Sequence, residues 1–193
     1  MCALVLVFAA GCGSHDVSRE RAAALAYDGP GADVLGRELA SQLPARSLGP
    51  AADVAGHVTL VRWWTDACPY CEASLPALET LRTRHAARGL ACVAVFHPKP
   101  PHAVMDAEVL ADATRLGWHG NVRVDEDWSA LERVWLAGHA RAATSVTFVL
   151  DARGLVRWVH PGPELHPSEA PEHAQCAADF ARLEHALEVL LDE

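Results

Sequence analysis

The chain has 193 residues, 51% of them hydrophobic, which is enough for one globular domain with extensions. Its formal net charge is −9, from 16 basic and 25 acidic side chains, and no cluster of basic residues stands out. A nucleic-acid partner is therefore not expected, because binding to a phosphate backbone requires concentrated Lys and Arg.

The first twelve residues resemble a bacterial lipoprotein signal. Residues 3–10 (ALVLVFAA) form an apolar run that ends in small residues and is followed by Gly11 and Cys12. The run is shorter than the roughly 20 apolar residues that span a bilayer, and its ending is typical of an export signal. The resemblance implies that Cys12 carries lipid and anchors the chain on the periplasmic side of a membrane. No Lys or Arg precedes the run, and the alternative is a disordered hydrophobic N-terminus.

Residues 13–50 are predicted to be a tether and an N-terminal extension, with weakly helical stretches over 19–27 and 32–42. The patterned domain is predicted to span residues 51–193. Four cysteines lie beyond the signal, which is too few for a scaffold held together by disulfides. They are Cys68, Cys71, Cys92 and Cys176.

The domain is predicted to alternate strands and helices. Runs rich in β-branched and aromatic residues predict strands over 57–64, 90–96, 121–124, 146–150 and 155–160. Apolar residues at helical spacing predict helices over 69–88, 104–116, around 131–135 and over 174–191. Strands that alternate with helices require a mainly parallel sheet with helices on both faces, and the last two strands form an antiparallel hairpin. The sequence therefore predicts an α/β fold.

Cys68-Pro69-Tyr70-Cys71 lies between the first of these strands and the first helix. A sulfur at the start of a helix faces unpaired N–H groups and the positive end of the helix dipole. This setting favours the thiolate and predicts a lowered pKa for Cys68. Pro69 suits the first helical position, where the N–H has no partner. Cys71, one turn further on, is predicted to be shielded and to resolve a mixed disulfide with a partner protein.

A single CxxC pair has other interpretations. Zinc normally takes four ligands, and no second CxxC exists, so Cys92, Cys176 or histidines would have to complete a metal site. A purely structural disulfide is the second alternative. The position of the pair between a buried strand and a helix favours a redox site, and neither a metal nor an organic cofactor is expected.

Residues 63–76 (WWTDACPYCEASLP) are similar to the active-site segment of the TlpA/ResA-like thioredoxin family. The shared features are an aromatic pair that ends at Trp64, a Cys-Pro-x-Cys motif, a charged residue at Glu72 and a Leu-Pro pair that ends at Pro76. Of Trp63 and Trp64, one is expected in the core and one at the rim of the site.

Two later segments extend this resemblance. Residues 122–128 (VRVDEDW) and 147–154 (TFVLDARG) resemble family motifs, and the similarity covers about residues 55–165. The chain departs from the family at Ser145, where a cis-proline is usual, and at Ala67, where many thioredoxins carry tryptophan. Tyr70 is expected to supply part of the missing aromatic surface.

The resemblance implies a thioredoxin-like fold and an extracytoplasmic thiol:disulfide oxidoreductase that reduces disulfides of partner proteins. The implied partners are proteins that contain disulfides or dithiols, such as an apocytochrome c or a metal-centre assembly protein, together with a membrane electron donor. Two other functions are left open. One is a peroxiredoxin-like peroxidase, and the other is a lipid-anchored copper chaperone that uses Cys68, Cys71 and a histidine.

Several residues outside the motif have testable roles. His97 and Lys99 follow the second strand, where α/β folds place ligand-binding loops, and are candidates for stabilising the thiolate or moving a proton. The alternative is a surface loop made rigid by proline. Cys92 is expected to be a buried apolar side chain, and Cys176 a packed thiol. Asp66 is expected to cap the following helix.

Overall fold

The computed structural model describes residues 25–66, 68–141 and 143–193. The lipoprotein signal with Cys12, the first part of the tether and Ala67 lie outside the described residues. Within the described ranges, no helix is long and apolar enough to cross a membrane.

The core of the molecule is a six-stranded mixed sheet with the strand order β1-β4-β3-β2-β5-β6. Strands β4, β3 and β2 are parallel, whereas β1, β5 and β6 each pair antiparallel with their neighbours. The strands are β1 Ser47–Leu48, β2 Thr59–Trp64, β3 Ala91–Phe96, β4 Asn121–Val124, β5 Thr147–Leu150 and β6 Val156–His160. The five strands predicted from the sequence are present, and β1 is an additional strand that is too short to show a pattern.

In the described part of the chain, four helices flank this sheet. They are α1 Pro69–His85, α2 Asp106–Arg115, α3 Ser129–Leu131, which continues as a π-helical turn over Glu132–Leu136, and α4 Ala174–Leu191. A 3-10 turn over Ala86–Arg88 extends α1, and Gly89 follows it with a φ of 82°, the left-handed conformation expected just after a helix. The last helix has the predicted bounds.

The sheet separates two apolar layers, because successive side chains of a strand point to opposite faces. On one face Leu60 and Trp64 of β2 pack with residues of α1, α2 and α4. On the other face Val61 and Trp63 pack with α3 and with the segment before β1. Helices on both faces and the thioredoxin-like α/β fold are therefore confirmed.

The segment before residue 51 shares this core. Val34, Leu39 and Leu43 are buried against the second face of the sheet. Of the weakly helical stretch predicted over 32–42, two short 3-10 turns form, Ala32–Val34 and Ala40–Gln42. A continuous helix does not form because the N–H groups of Gly36 and Leu39 donate to carbonyls of the β5–β6 hairpin instead of to preceding residues of a helix.

The contribution of this segment to stability can be measured with one substitution. Leu39→Ala should lower the free energy of unfolding by about 2–5 kcal/mol, because Leu39 is 2% exposed and its truncation leaves a cavity. Arg37→Ala, at an exposed position of the same segment, is the matched control. Equal urea midpoints for the two variants would show that the segment is only loosely attached.

Candidate redox site

The CxxC pair begins helix α1. Cys68 is the capping residue with extended backbone (φ −103°, ψ 104°), and Pro69 is the first helical residue. The backbone N–H of Cys71 donates to the carbonyl of Cys68 at 3.0 Å. Both cysteines are free thiols, and Cys68 is 9% exposed whereas Cys71 is fully buried. The structure therefore shows the reduced pair with its first sulfur nearer to solvent.

A hydrogen bond between the two sulfurs gives the two cysteines different pKa values. It holds the pKa of Cys68 at about 6, below the usual thiol value, against the opposing effect of burial. A hydrogen bond from Ser145 and the backbone N–H of Cys71 lower the pKa of Cys68 further. The same bond between the sulfurs, together with burial, raises the pKa of Cys71. At neutral pH, Cys68 is a thiolate and Cys71 a thiol that donates to it.

Ser145 lies directly beside both cysteines. Its Oγ is 3.8 Å from Cys68 Sγ and 3.8 Å from Cys71 Sγ, and the residue is 4% exposed. The position corresponds to the one where the resemblance led us to expect a cis-proline. A serine hydroxyl differs from proline in that it can donate a hydrogen bond to a thiolate.

Arg62 is a buried cation on the same face of the sheet, and the sequence analysis missed it. Its side chain is 1% exposed and donates to Thr147 Oγ1 at 2.9 Å, to the carbonyl oxygens of Ser145 and Gly162 at 3.4 Å each, and to the carbonyl of Pro163. Among the described residues it forms no ion pair with a carboxylate. Burying a charge is costly unless it is paired, so an anion near this guanidinium gains stability.

The anion that the site offers is the Cys68 thiolate. After the hydrogen bonds to that sulfur, the positive charge of Arg62 lowers the pKa of Cys68 still further. It also lowers the pKa of Cys71, although the contact with Cys68 and burial outweigh this effect. A signal for Arg62 was available in the sequence, since it is the only charged residue in the apolar strand HVTLVRWW.

Ser74 connects the site to the chain that follows β6. It is fully buried on α1, and its hydroxyl donates to the carbonyl of Tyr70 at 2.8 Å. The same hydroxyl accepts the backbone N–H of Leu165 at 2.9 Å. The loop after β6 is thereby fixed to the second turn of the helix that carries the cysteines, next to its contacts with Arg62.

The remaining motif residues surround the pair at different depths. Trp64 is fully buried in the same apolar cluster as the cysteines, with its ring edge-to-face on Phe96. Because Trp63 is also fully buried, the expectation of one tryptophan at the rim is wrong. Tyr70, by contrast, has 47% of its surface exposed to solvent. Glu72 and Pro76 are exposed on α1.

Among the described residues, no hydrogen bond or ion pair joins His97 or Lys99 to either cysteine. His97 is fully buried, its ring lies edge-to-face against Trp128, and neither ring nitrogen has a hydrogen-bond partner in the described chain. Burial lowers the pKa of His97 to about 4, so at neutral pH it carries no charge that would stabilise a thiolate. Lys99 is exposed.

Three other expectations have clear outcomes. Cys92 and Cys176 are buried, and burial raises the pKa of each thiol, so both are packed rather than reactive. The prediction that Asp66 caps α1 is wrong, because no side chain among the described residues caps the start of this helix. Asp66 instead accepts a hydrogen bond from Thr65 Oγ1 at 2.9 Å.

Solved structures with the same fold carry names from thiol–disulfide chemistry. A candidate thiol:disulfide interchange protein DsbE from Chlorobium tepidum superposes with a TM-score of 0.56 at 18% identity, over 81% of this chain and 97% of that one. A candidate protein disulfide isomerase from Bacteroides thetaiotaomicron gives 0.55 at 18% identity, over 72% and 77%. A secreted thiol-disulfide isomerase from Corynebacterium glutamicum gives 0.55 at 16% identity, over 78% and 86%. At these identities the likeness shows a thioredoxin-like fold.

The sequence itself assigns the family. Residues 47–175 match the Redoxin family, and the chain belongs to it. Among proteins with curated descriptions, none matches the sequence significantly. Membership in this family and the Cys68/Cys71 pair at the start of α1 support thiol:disulfide oxidoreductase activity.

The lowered pKa of Cys68 predicts how the midpoint potential depends on pH. Below pH 6 reduction takes up two protons with two electrons, so the potential should fall by about 59 mV per pH unit. Above pH 6 Cys68 stays deprotonated, and the slope should decrease to about 30 mV per unit. Redox titration between pH 5 and 8, read by mass after acid quenching and alkylation, measures both slopes. A single slope of about 59 mV throughout would contradict a Cys68 thiolate.

Replacing Arg62 tests whether its charge acts on the thiolate. Arg62→Met should raise the midpoint of Cys68 alkylation by about 0.5 pH unit, because the buried positive charge is lost. Arg62→Lys keeps a charge and should restore part of the shift, and circular dichroism reports whether each variant is folded. If the Met and Lys variants shift the midpoint equally, the effect of Arg62 is structural rather than electrostatic.

Proposed function

We propose that this chain reduces disulfide bonds of partner proteins outside the cytoplasm, with Cys68 as the nucleophile and Cys71 as the resolving thiol. The observation that carries the proposal is the asymmetry of the pair. Cys68 is partly accessible and has a pKa of about 6, whereas Cys71 is fully buried and has a raised pKa. The thiolate is the reactive form, and near pH 7 a thiol with a pKa of about 6 is almost fully deprotonated.

The first half of the reaction consumes the Cys68 thiolate. Its sulfur attacks one sulfur of the partner disulfide, a new S–S bond forms, and the old one breaks. The second partner sulfur leaves as a thiolate and takes a proton from water. Ser145 Oγ, in contact with both sulfurs of the pair, stabilises the attacking thiolate before this step.

The second half releases the partner. Once Cys68 is bound in the mixed disulfide it has lost its negative charge, and the contact that raises the pKa of Cys71 is weakened. Cys71 then gives up its proton and attacks Cys68 Sγ, and the S–S bond between Cys68 and the partner breaks. The partner sulfur that was bonded to Cys68 leaves as a thiolate and takes up a proton. Two electrons pass from the chain to the partner, and the Cys68–Cys71 disulfide remains. Arg62 favours this step because its charge lowers the pKa of Cys71.

We infer the location and the partners from the sequence rather than from the site. The segment that resembles a lipoprotein signal supports export and a lipid anchor at Cys12. One structural neighbour is named as a secreted protein. Partner proteins with disulfides or dithiols fit the chemistry, and turnover requires an electron donor, which we place in the membrane. The resemblance favours an apocytochrome c or a metal-centre assembly protein as partner.

The copper-chaperone alternative has less support. It requires a histidine that works together with the cysteine pair, and among the described residues no hydrogen bond or ion pair joins His97, the candidate that follows β3, to either cysteine. The group of potential metal ligands found among the described residues includes neither Cys68 nor Cys71.

Reduction of insulin with dithiothreitol as the electron source tests the proposal. Cys68→Ser should lower the rate to the uncatalysed level, because the attacking thiolate is lost. Cys71→Ser should also lower the rate, because the resolving thiol is lost. When this variant is reduced and then mixed with insulin without dithiothreitol, it should accumulate a mixed disulfide that non-reducing gel electrophoresis detects. Cys92→Ala, which removes a buried thiol away from the pair, is the matched control and should retain activity.

Two results would overturn the assignment. One is a Cys68→Ser variant that reduces insulin as fast as the unsubstituted chain. The other is a fully reduced chain that is inactive on insulin but consumes hydrogen peroxide with oxidation of Cys68 to a sulfenic acid, which would identify a peroxidase.

A further inference from the structure

Glu164, His166 and His173 bring three potential ligand atoms together outside the cysteine pair. Glu164 and His166 lie on the loop after β6, and His173 ends the 3-10 turn Pro171–His173 before α4. Glu164 Oε1 is 3.0 Å from His166 Nε2 and 3.2 Å from His173 Nδ1. The three ligand atoms all lie within 4.8 Å of one another.

The spacing suits a small divalent cation. With ligand bonds of 2.0–2.1 Å, the edge of a tetrahedral zinc site is about 3.4 Å. The two distances at the Glu164 oxygen are already close to this value. Two imidazoles and one carboxylate form a known set of three zinc ligands that leaves a fourth position for water.

A second observation concerns the orientation of the His166 ring. Its Nδ1 lies 2.9 Å from the carbonyl oxygen of Pro167, which can only accept a hydrogen bond, so Nδ1 carries the proton. In the neutral ring this leaves the lone pair on Nε2, the atom that faces Glu164. Histidines that bind metals are commonly held in this way by a bond from the other nitrogen to a carbonyl or carboxylate.

The backbone around these ligands is fixed to the rest of the domain. Leu165 is fully buried, and its N–H donates to Ser74 Oγ on α1 at 2.9 Å. The N–H of His166 donates to Cys176 Sγ on α4 at 3.2 Å. The ligand side chains remain partly open to solvent, with exposures of 30% for Glu164, 14% for His166 and 38% for His173. An ion can therefore enter without unfolding the loop.

We propose that Glu164, His166 and His173 form a binding site for a divalent zinc-type cation, separate from the redox pair. The competing explanation is a charge cluster in which protonated histidines flank the carboxylate. Only a metal site gives saturable metal binding that depends on all three side chains, so a binding measurement distinguishes it from a charge cluster.

Zinc titration by calorimetry at pH 7.5 tests this site. A Cys68→Ser/Cys71→Ser background removes the cysteine pair as a competing ligand set, and the full chain is otherwise kept. We expect one Zn²⁺ per chain in this background, with affinity at least about tenfold weaker after His166→Ala, His173→Ala or Glu164→Gln. His119→Ala removes an exposed histidine elsewhere and is the matched control.

A second measurement guards against variants that fail to fold. Co²⁺ added to the same background, with all three proposed ligands intact, should give the spectrum of nitrogen and oxygen coordination. A strong thiolate-to-cobalt charge-transfer band would place the metal on Cys92 or Cys176 and overturn the proposal. The absence of saturable Zn²⁺ binding, or equal binding by folded His166→Ala and His119→Ala variants, would overturn it as well.

Discussion

The hydrogen bond between the Cys71 thiol and the Cys68 sulfur is the interaction on which the redox site depends. It lowers the pKa of Cys68 to about 6 and raises that of Cys71, so that one of two chemically identical groups becomes the nucleophile. The fold creates this difference by position. The end of β2 and the start of α1 leave Cys68 as the capping residue, whereas Cys71 lies one turn inside the helix, where burial disfavours its charge.

Arg62 adds a permanent charge to this arrangement. Its buried guanidinium is held by neutral acceptors, among them Thr147 Oγ1 and the Pro163 carbonyl, and no carboxylate of the described residues pairs with it. The cost of burying this charge is offset best when Cys68 is a thiolate. Because only the reduced pair contains that thiolate, Arg62 stabilises the reduced form relative to the disulfide. The loop after β6 therefore contributes to the redox site, since it supplies acceptors to Arg62 and is anchored on Ser74.

Local sequence patterns predicted the elements of this fold well, because long apolar runs and Gly or Pro breaks act over short distances. The bounds of β4 and α4 were predicted correctly, and the strand–CxxC–helix arrangement located the site. What the sequence analysis missed depends on contacts over long separations in the chain. The contact of Ser74 with Leu165 joins residues 91 positions apart, and the buried segment before β1 carries little helical or strand pattern of its own.

The pKa of Cys68 in the reduced chain is the quantity that decides whether the cysteine pair is asymmetric. The rate of alkylation by iodoacetamide, followed by mass spectrometry at Cys68 as a function of pH, reports the thiolate fraction at that residue. We expect a midpoint near pH 6, with Cys71 unmodified across the same range. A midpoint at the usual thiol value of about 8.5, or equal modification of both cysteines, would contradict it.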